Sequence, residues 1–378
     1  MIRILHSVSN MDRAGIETML MNYYRNMDRG EIQFDFLCNK QKPGAYDDEI
    51  VALGGRIYRT PGLNPLKYFQ YLKYMKQLFR ENPDYRILEA HNDALAVYAL
   101  NAAKRNEIPV RIFHAHGTSI TKDWKMPLKA FCKLLLPLNY NRHFTCGIAA
   151  GRFYFGNRTI DNNDYVLIHN AIDIEKFSFD ENVRKQIRER YGLQDRHVVG
   201  HVGRFCYEKN QKFLLNVFAE LKRMDTKAHL VFIGDGDQME QIEKKVDALG
   251  LQDSVSFLGN IPNVNQWYQA FDVFVFPSVR EGLPVVGVEA QAADLPCIIS
   301  DSVTSEIKIL EKTRFLPLDK GYSYWAQAIL EAFACKDRNN VRAAIADHGY
   351  DISVEAKKLQ ELYLNLAEIN QGANNTLR

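Results

Sequence analysis

The sequence lacks the marks of several protein classes. No apolar run approaches the roughly 20 residues that a membrane-spanning helix needs, and a strand-like segment at 2–8 stands where a signal peptide would have its apolar core. The six cysteines are scattered and form no C-x-x-C pair, which argues against a disulfide framework and a zinc site. No basic patch is interleaved with aromatic residues, so nucleic-acid binding has little support. These absences predict a globular cytoplasmic protein with reduced thiols.

Length and composition predict two domains. At 378 residues the chain is longer than one hydrophobic core usually serves, and its 46% hydrophobic and 25% charged residues are ordinary for a globular protein. The net charge of +2 divides unevenly: residues 1–170 contain 23 Lys and Arg against 16 Asp and Glu, and the remainder contains 25 against 30. A basic first half suits an acidic membrane surface or acidic acceptor, and random scatter of surface charge explains the difference nearly as well.

Strand-like and helix-like segments alternate along both halves of the chain. Strands are predicted at 2–8, 34–38, 86–90 and 110–114 in the first half, and at 197–202, 229–233, 255–258, 273–276 and 297–300 in the second. This alternation predicts an α/β fold of two Rossmann-like, doubly wound parallel-sheet domains that face each other across a cleft. We expect the domains at 1–170 and 171–353. A helix at 354–370 would pack back on the first domain, followed by a tail at 371–378.

The strand–loop–helix segment at 271–290 is the strongest candidate for a ligand site. The apolar run at 273–276 is typical of a buried parallel strand, and Pro284 suits the first turn of the helix that follows. Free backbone N–H groups at 282–285 could then bind an anion. Glu281 in the loop and Glu289 in the helix could hold a hydroxyl-rich ligand. Taken alone, two solvated glutamates on an ordinary segment are an equally good interpretation.

Two loops after first-half strands carry weaker signals. Gly15, at the start of a helix, could let a ligand approach the backbone, but the segment does not match the G-x-G-x-x-G pattern of nicotinamide and flavin sites, and a plain turn glycine is the commoner explanation. His114 and His116 end another strand. We expect the two to point to opposite sides and not to share a metal. His116 would face the site, unless both are simply buried and hydrogen-bonded.

Loops after second-half strands carry cations and aspartates. Arg204 and Lys209 follow the strand at 197–202, where they could grip a diphosphate from two sides; a solvated surface pair is the alternative. Residues 234–237 read Gly-Asp-Gly-Asp, and an Asp-x-Asp pair can hold a divalent metal. Here the pair lies in a glycine turn between a strand and a helix. We therefore favour a turn, with Asp235 or Asp237 as a helix cap and positive φ at Gly236.

The order and spacing of these residues resemble the retaining glycosyltransferases of family 4, which have the GT-B fold. The resemblance extends over nearly the whole chain and rests on Gly15, His116, Gly203-Arg204, Lys209, Gly234-Asp235-Gly236 and Glu281…Glu289. Segments 15–18, 169–173 and 272–301 are similar to bacterial exopolysaccharide and capsular polysaccharide glycosyltransferases. Two positions depart from the family, because Ala14 and Asn210 stand where many members have glycine.

The resemblance implies transfer of a sugar from a nucleoside diphosphate sugar, UDP-linked in this subgroup, with retention of anomeric configuration. Arg204 and Lys209 would neutralise the leaving diphosphate, Glu281 would bind the donor sugar, Glu289 would bind the ribose, and His116 would lie near the sugar or acceptor. The predicted catalytic residues are His116, Arg204, Lys209 and Glu281. The predicted donor-binding residues are Gly15, Gly203, Arg204, Lys209, Gly234, Asn260, Ile261, Glu281, Gly282, Leu283, Pro284, Val285 and Glu289. We expect no cofactor and no required metal.

The resemblance places the acceptor, a saccharide or a polyprenyl-diphosphate-linked saccharide, on the first domain. Lys125, Lys129 and Lys133 recur at four-residue spacing beside apolar residues at 126, 128, 131, 134 and 135. A basic amphipathic helix of this kind suits the inner face of the cytoplasmic membrane. A core-facing helix with a solvated lysine stripe is the alternative, and it is slightly the more common arrangement.

Two rival functions fit the same fold. A sugar-nucleotide epimerase would need the same donor pocket but no saccharide acceptor. A phosphorylase would use free phosphate and no nucleotide. A non-catalytic nucleotide-sugar-binding component of a polysaccharide assembly complex would need a degenerate site. Arg204, Lys209, Glu281 and Glu289 are all present, which favours the transferase.

Overall fold

The structure is a computed structural model that describes residues 1–120 and 126–375. The chain divides into two compact units. Unit 1 comprises Met1–Ala171 together with Ile352–Arg378, and unit 2 comprises Ile172–Asp351. Each unit has its own parallel sheet and its own hydrophobic core.

Unit 1 is built on a seven-stranded parallel sheet, counted over the described residues. Its strands are β1 (Ile2–Val8), β2 (Ile32–Cys38), β3 (Ile57–Arg59), β4 (Ile87–Ala90), β5 (Val110–Ala115), β6 (Arg142–Thr145) and β7 (Val166–Leu167). Its connecting helices are α1 (Gly15–Asn26), α2 (Asp47–Ala52), α3 (Tyr68–Glu81), α4 (Val97–Arg105), α5 (Met126–Leu135), α6 (Ile148–Phe155) and α7 (Asn157–Asp161). The strand order β3-β2-β1-β4-β5-β6-β7 reverses direction between β1 and β4, where doubly wound sheets bind ligands.

Unit 2 repeats this architecture with six described strands. It contains α8 (Ile174–Phe177), α9 (Glu181–Arg190), β8 (His197–Val202), α10 (Gln211–Met224), β9 (Ala228–Ile233), α11 (Met239–Ala248), β10 (Val255–Phe257), α12 (Val264–Ala270), β11 (Val273–Phe276), α13 (Val285–Ala292), β12 (Cys297–Ser300), β13 (Thr313–Leu316), α14 (Tyr322–Ala332) and α15 (Arg342–Asp347). The strand order is β10-β9-β8-β11-β12-β13, so the reversal lies between β8 and β11.

The reversal strands of unit 2 are completely buried because their sequence is apolar on both faces. All four side chains of β11 are buried, as the unbroken apolar run at 273–276 predicted. Gly200 on β8 is required by packing: a Cβ atom there would lie 2.1 Å from the ring of Phe271. This close approach packs β8 against Phe271, which lies just before β11, and the two strands are paired in the sheet.

The last helix of the chain, α16 (Ile352–Asn375), belongs to unit 1 and packs against α1. Leu359, Tyr363 and Leu366 are buried in the unit 1 core, so the apolar stripe predicted for this segment packs on the first domain. The helix continues to Asn375, into the segment predicted as a tail. The predicted fold class of two doubly wound parallel-sheet domains is confirmed. Across the described residues, every helix is too short or too polar to span a bilayer.

Candidate functional site

The carboxyl ends of β9, β8 and β11 lie side by side in unit 2, and their loops are hydrogen-bonded to one another. The backbone N–H of Gly234 donates to the carbonyl of Gly259 at 2.9 Å, which joins the loops after β9 and β10. The N–H of Val279 donates to the carbonyl of Glu208 at 2.9 Å, which joins the loops after β8 and β11. The structure therefore gathers the predicted donor residues of unit 2 along one edge of the sheet. Asn260 and Ile261 are at one end of this edge, directly after Gly259.

Two glycines lie where these loops pass close to each other. Gly234 has φ of +135°, and a Cβ atom on it would lie 2.2 Å from the carbonyl oxygen of Gly203. The aliphatic part of Lys209 runs beside Gly203. A Cβ atom on Gly203 would lie 3.4 Å from the Cδ atom of Lys209, which is an ordinary van der Waals contact. Packing within unit 2 thus requires glycine at position 234, whereas a Cβ atom at position 203 would make only an ordinary contact with Lys209.

Lys209 and Glu281 form an ion pair at the reversal point of the sheet. The Nζ atom of Lys209 lies 2.8 Å from Oε1 of Glu281, and only 19% and 15% of the two side chains is exposed. The same Nζ atom lies 4.7 Å from the centre of the Phe276 ring, where the π face also favours a cation. The predicted cation and the predicted sugar-binding carboxylate are therefore in direct contact. A partly buried pair of this kind can exchange partners when a more highly charged ligand enters.

Arg204 occupies a different environment from Lys209. Its side chain is 69% exposed, and its guanidinium lies 3.8 Å from the exposed carboxylate of Asp237, which is a weak surface pair. The Arg204 carbonyl accepts a hydrogen bond of 2.9 Å from the side chain of buried Gln211. The backbone is thus anchored while the guanidinium projects from the loop.

The Gly-Asp-Gly-Asp segment forms the predicted turn, but with other details than predicted. Asp235 accepts a hydrogen bond from the N–H of Gly236 at 2.7 Å, and α11 begins at Met239 without a side-chain cap. The expected capping role was therefore wrong, because the helix starts too far along the chain. The expected positive φ at Gly236 was also wrong; it occurs at Gly234 instead.

The backbone conformation at Asn210 accounts for the glycine that many family members have at this position. Its backbone has φ of +57° and ψ of +39°, the left-handed conformation, which asparagine tolerates better than most residues. Its side-chain amide donates to the carbonyl of Pro277 at 3.2 Å. Asn210 therefore keeps the required turn and adds a link between the loops after β8 and β11.

The N-terminus of α13 lies at the end of the loop that follows β11. The helix begins at Val285 with Pro284 as its N-cap, one residue later than a proline in the first turn would imply. The first N–H groups of a helix have no partner within it, and the helix dipole adds partial positive charge there. Gly282, Leu283 and Pro284 lead directly into this end. Its chemistry suits a phosphate group.

Glu289 is buried inside α13. Its Oε2 atom accepts a hydrogen bond of 2.8 Å from the hydroxyl of Tyr268, which is itself buried. Burial raises the pKa of Glu289 to about 7, and the Tyr268 hydrogen bond opposes this only in part. Sequence reasoning did not find Tyr268, which precedes Glu289 by 21 residues and lies on another helix. Glu289 is thus a carboxyl group poised between its charged and neutral forms near pH 7.

In unit 1, Gly15 opens the helix after β1. Ala14, the first departure from the family, is extended at φ −130° and needs no glycine. A Cβ atom on Gly15 would meet nothing within 4 Å, so packing within the protein does not explain this glycine. That open space is consistent with approach of a ligand to the helix N-terminus.

His114 and His116 lie on the same side, and the prediction that they point apart was wrong. The prediction misapplied the alternation: successive side chains of a strand point to opposite faces, so residues two apart, such as these, point to the same face. The two rings stack with their centres 4.1 Å apart. His114 is buried against Glu89 at 2.7 Å, and part-buried His116 lies 2.9 Å from His91. Burial lowers the pKa of His116 well below its ordinary value, so its ring is neutral at physiological pH.

A cavity of about 230 Å³ lies at the reversal point of the unit 1 sheet. Its lining includes Glu17, Asn39, His91, Asp93 and Lys129. Burial raises the pKa of Glu17 to about 7 and also raises the pKa of Asp93. Sequence reasoning gave none of these five residues a role in a ligand site, although Lys129 belongs to the predicted lysine stripe and Glu17 to the segment 15–18 that resembles the family. The available signal was that each lies in a loop or first helical turn that follows a strand, except Lys129.

Helix α5 carries the lysine stripe predicted for a membrane surface, with Lys125 outside the described residues. Only Cys132 of this helix is buried. The side chains of Phe131 and Leu134 are 58% and 76% exposed, so the alternative of a core-facing helix was wrong. Lys133 places its Nζ atom 3.4 Å from the centre of the Phe153 ring. The helix presents an apolar surface together with lysine side chains.

Comparison with known proteins identifies the family. Residues 13–176 match the family described as Glycosyltransferase Family 4, and residues 183–316 match Glycosyl transferases group 1. EpsF of Bacillus subtilis, a protein named as a glycosyltransferase, is 37% identical over 369 residues, which cover 96% of each chain. The capsular polysaccharide biosynthesis glycosyltransferase CapH of Staphylococcus aureus is 24% identical and covers 97% of this chain and 99% of its own.

The fold agrees with this relationship. The crystal structure of Anabaena HepE in complex with UDP-glucose superimposes with a TM-score of 0.79 at 17% identity, covering 97% of this chain and 100% of the other. At this identity the likeness concerns the fold. The similarity to EpsF extends over both units, so it does not rest on one shared domain. The chain therefore belongs to the glycosyltransferases of family 4, as its motifs suggested.

Proposed function

We propose that the protein transfers a sugar from a UDP-sugar to a saccharide or lipid-linked acceptor, with retention of configuration, during assembly of an exopolysaccharide or capsule. The observation that carries this proposal is the Lys209–Glu281 pair, 2.8 Å apart at the reversal point of the unit 2 sheet. CapH is named for capsular polysaccharide biosynthesis, and the HepE structure holds UDP-glucose. Both names support the choice of pathway and nucleotide.

Charge neutralisation of the leaving group is the main catalytic contribution in this proposal. When the glycosidic bond breaks, negative charge grows on the diphosphate, and Lys209 is the cation held within the loops. Arg204, exposed on the same loop, would close on the diphosphate as a second cation. The N–H groups at the start of α13 would add hydrogen bonds to phosphate oxygens. These groups together supply the charge for which other enzymes use a metal ion, so we expect a metal-independent reaction.

Glu281 and Glu289 divide recognition of the donor between them. Diphosphate would draw Lys209 away from Glu281, and the released carboxylate would accept hydrogen bonds from hydroxyls of the donor sugar. Glu289, buried beside Tyr268, would accept from the ribose hydroxyls. Asn260 and Ile261, after β10, would contact the base. Both glutamates thus place a carboxylate, which only accepts hydrogen bonds, where hydroxyl groups of the donor can donate.

The acceptor would bind to unit 1, in the cavity that contains Glu17, His91 and Asp93. His116 is neutral, so it would orient the sugar or acceptor by hydrogen bonding rather than by charge. In retaining transfer, an oxygen of the departing phosphate takes the acceptor proton, and attack occurs from the face that the diphosphate leaves. No separate protein base is then needed.

A lipid-linked acceptor would bring the protein to the inner face of the cytoplasmic membrane. Phe131 and Leu134 offer exposed apolar surface on α5, with Lys129 and Lys133 on the same helix for anionic headgroups. Sedimentation with anionic vesicles tests this contact. Replacing Phe131 and Leu134 by Ser should reduce binding, whereas Leu249→Ser, at a residue 42% exposed in unit 2, should not. Equal binding of both variants would contradict the proposed surface.

The transfer reaction is tested with purified protein, a panel of UDP-sugars and saccharide acceptors. A cognate donor should raise the thermal midpoint by mass action, and nuclear magnetic resonance of the early product should show the anomeric configuration of the donor. A product of opposite configuration would contradict retention. A change in the donor without any acceptor would favour the epimerase, and donor binding without any turnover would favour a non-catalytic component.

A further inference from the structure

Unit 1 contains a mostly buried cluster of histidines, of which only His91 and His116 enter the proposed transfer reaction. His6 on β1, Glu89 on β4 and His114 on β5 lie on three adjacent strands, and His91 and His116 follow the ends of β4 and β5. His6, Glu89, His91 and His114 are each at most 2% exposed. Five polar residues inside an otherwise apolar core are costly unless their atoms are paired.

The contacts within the cluster account for most of its polar atoms. His6 Nδ1 lies 3.1 Å from His91 Nε2, and His91 Nδ1 lies 2.9 Å from His116 Nε2. The Oε1 atom of Glu89 lies 2.7 Å from His114 Nδ1, and its Oε2 atom accepts from the hydroxyl of Tyr363 at 2.5 Å. The Nε2 atom of His114 is buried and has no hydrogen-bond partner.

The positions of the protons follow from these contacts. With Glu89 accepting, His114 carries its proton on Nδ1, which leaves a lone pair on the unpartnered Nε2. His91 can carry its proton on Nε2, where His6 Nδ1 accepts it, so that His91 Nδ1 also presents a lone pair. In this arrangement His91 and His114 each keep a nitrogen lone pair, as a metal-binding imidazole must.

We propose that His91, His114 and His116 form a binding site for a late first-row divalent cation, Zn²⁺ above all. Each ring offers one nitrogen, and the three nitrogens all lie within 4.8 Å of one another. Two nitrogens on a tetrahedral zinc are about 3.3 Å apart, close to the 2.9 Å between His91 Nδ1 and His116 Nε2. Imidazole nitrogens are the ligands that zinc, cobalt and nickel share.

The surroundings of the three rings are those of a metal site. A ligating histidine usually donates its other N–H to a carboxylate or other acceptor, which fixes the ring. Glu89 has this role for His114, and His6 has it for His91. His91 also lines the cavity of unit 1 and His116 is only part-buried, so an ion has a route to the site. A second trio, His6, Glu89 and His91, is equally compact but completely buried, which leaves it without such a route.

Metal binding is measured on tag-free, chelator-treated protein by titration with Co²⁺ and competition with Zn²⁺. We expect one Co²⁺ per chain, visible ligand-field bands, and displacement by Zn²⁺. His114→Asn keeps a donor toward Glu89 but loses Nε2, and His116→Ala removes a part-buried ligand. Each should weaken Co²⁺ binding at least about 10-fold, and Glu89→Gln should weaken it by about 10-fold to 100-fold through the second shell.

His197→Asn is the matched control. Like His114, His197 in unit 2 contacts a carboxylate through Nδ1, at 2.6 Å from Asp225. It is not part of either histidine cluster found among the described residues. Its affinity for Co²⁺ should equal that of the wild type. Circular dichroism checks the fold, and where His114→Asn does not fold, His116→Ala decides.

Three results would overturn the proposal. They are absence of Co²⁺ and Zn²⁺ binding by the wild type, unchanged binding in His116→Ala, and sulfur charge-transfer bands that assign the ion to cysteines. The assay contains neither donor nor acceptor, so its outcome is independent of the proposed transfer reaction.

Discussion

Replacing Glu289 by Gln should make unit 2 more resistant to unfolding at alkaline pH. Glu289 is buried in α13 against Tyr268, and burial raises its pKa from 4.5 to about 7. A carboxyl group whose pKa is raised in the folded state adds stability below its unfolded pKa, and this contribution is lost as the pH rises through the folded pKa. The glutamine variant has no such proton to lose.

The magnitude follows from the two pKa values. Between pH 4.5 and about 7 the folded protein keeps a proton on Glu289 that the unfolded chain releases. The wild-type free energy of unfolding therefore falls by about 1.4 kcal/mol per pH unit as the pH rises, or about 3 kcal/mol over this range. The difference between Glu289→Gln and wild type should therefore shift by about 3 kcal/mol in favour of the variant from pH 4.5 to about pH 8.

Urea unfolding followed by tryptophan fluorescence measures this difference. Trp267 and Trp325 are both buried in unit 2, and a Trp124→Phe background removes the third tryptophan of the chain. Glu311→Gln is the control, because the Glu311 side chain is 97% exposed. Its difference from wild type should not change with pH. A pH-independent difference for Glu289→Gln as well would refute the argument that burial holds this proton.

The same variant separates stability from binding. The carboxylate is the proposed acceptor for the ribose hydroxyls, so Glu289→Gln should bind UDP more weakly than wild type while it unfolds less readily at pH 8. Such a trade between stability and function is common for buried charged groups in binding sites. Calorimetry with UDP provides the measurement, and unchanged affinity would remove Glu289 from the donor site.

Three further predictions concern other parts of the two units. Gly234→Ala should destabilise unit 2 by several times the roughly 1 kcal/mol expected for Gly250→Ala, since both have positive φ but only the Gly234 Cβ meets backbone, at 2.2 Å; urea unfolding of the two variants makes the comparison. Carbon-13 resonance of Glu17, assigned with Glu17→Gln, should titrate near pH 7 because the carboxyl is buried, and a midpoint near 4.5 would show a solvated group. Transfer should keep its rate after treatment with EDTA, since Lys209 and the α13 N-terminus supply the positive charge; a rate restored only by Mg²⁺ or Mn²⁺ would contradict this.

Much of the donor edge could be predicted because its signals are local in sequence. An apolar run marks β11 as a central strand, and the carboxyl ends of central parallel strands meet at one edge. Lys209 and Glu281 follow β8 and β11, so their approach to each other results from strand order alone. The left-handed turn at Asn210 was not predicted, although the glycine that many family members have at this position was a local hint of it.

The buried partners could not be predicted because no local period connects them. Tyr363 reaches Glu89 across 274 residues of sequence, and His6 reaches His91 across 85. A glutamate and a histidine within apolar strands were the available hint, since burial of such groups requires partners. The error at His114 and His116 has a simpler cause: only successive residues of a strand point to opposite faces, and these two are two residues apart.

The central claim is that Lys209 stabilises the departing diphosphate, and single-turnover transfer by Lys209→Ala tests it most directly. Lys212→Ala is the matched control, an exposed lysine on the adjoining helix. With saturating UDP-sugar, Lys209→Ala should lower the rate of transfer by about 10²-fold to 10³-fold, while Lys212→Ala should leave it unchanged. Equal rates for Lys209→Ala and the wild type would contradict the account.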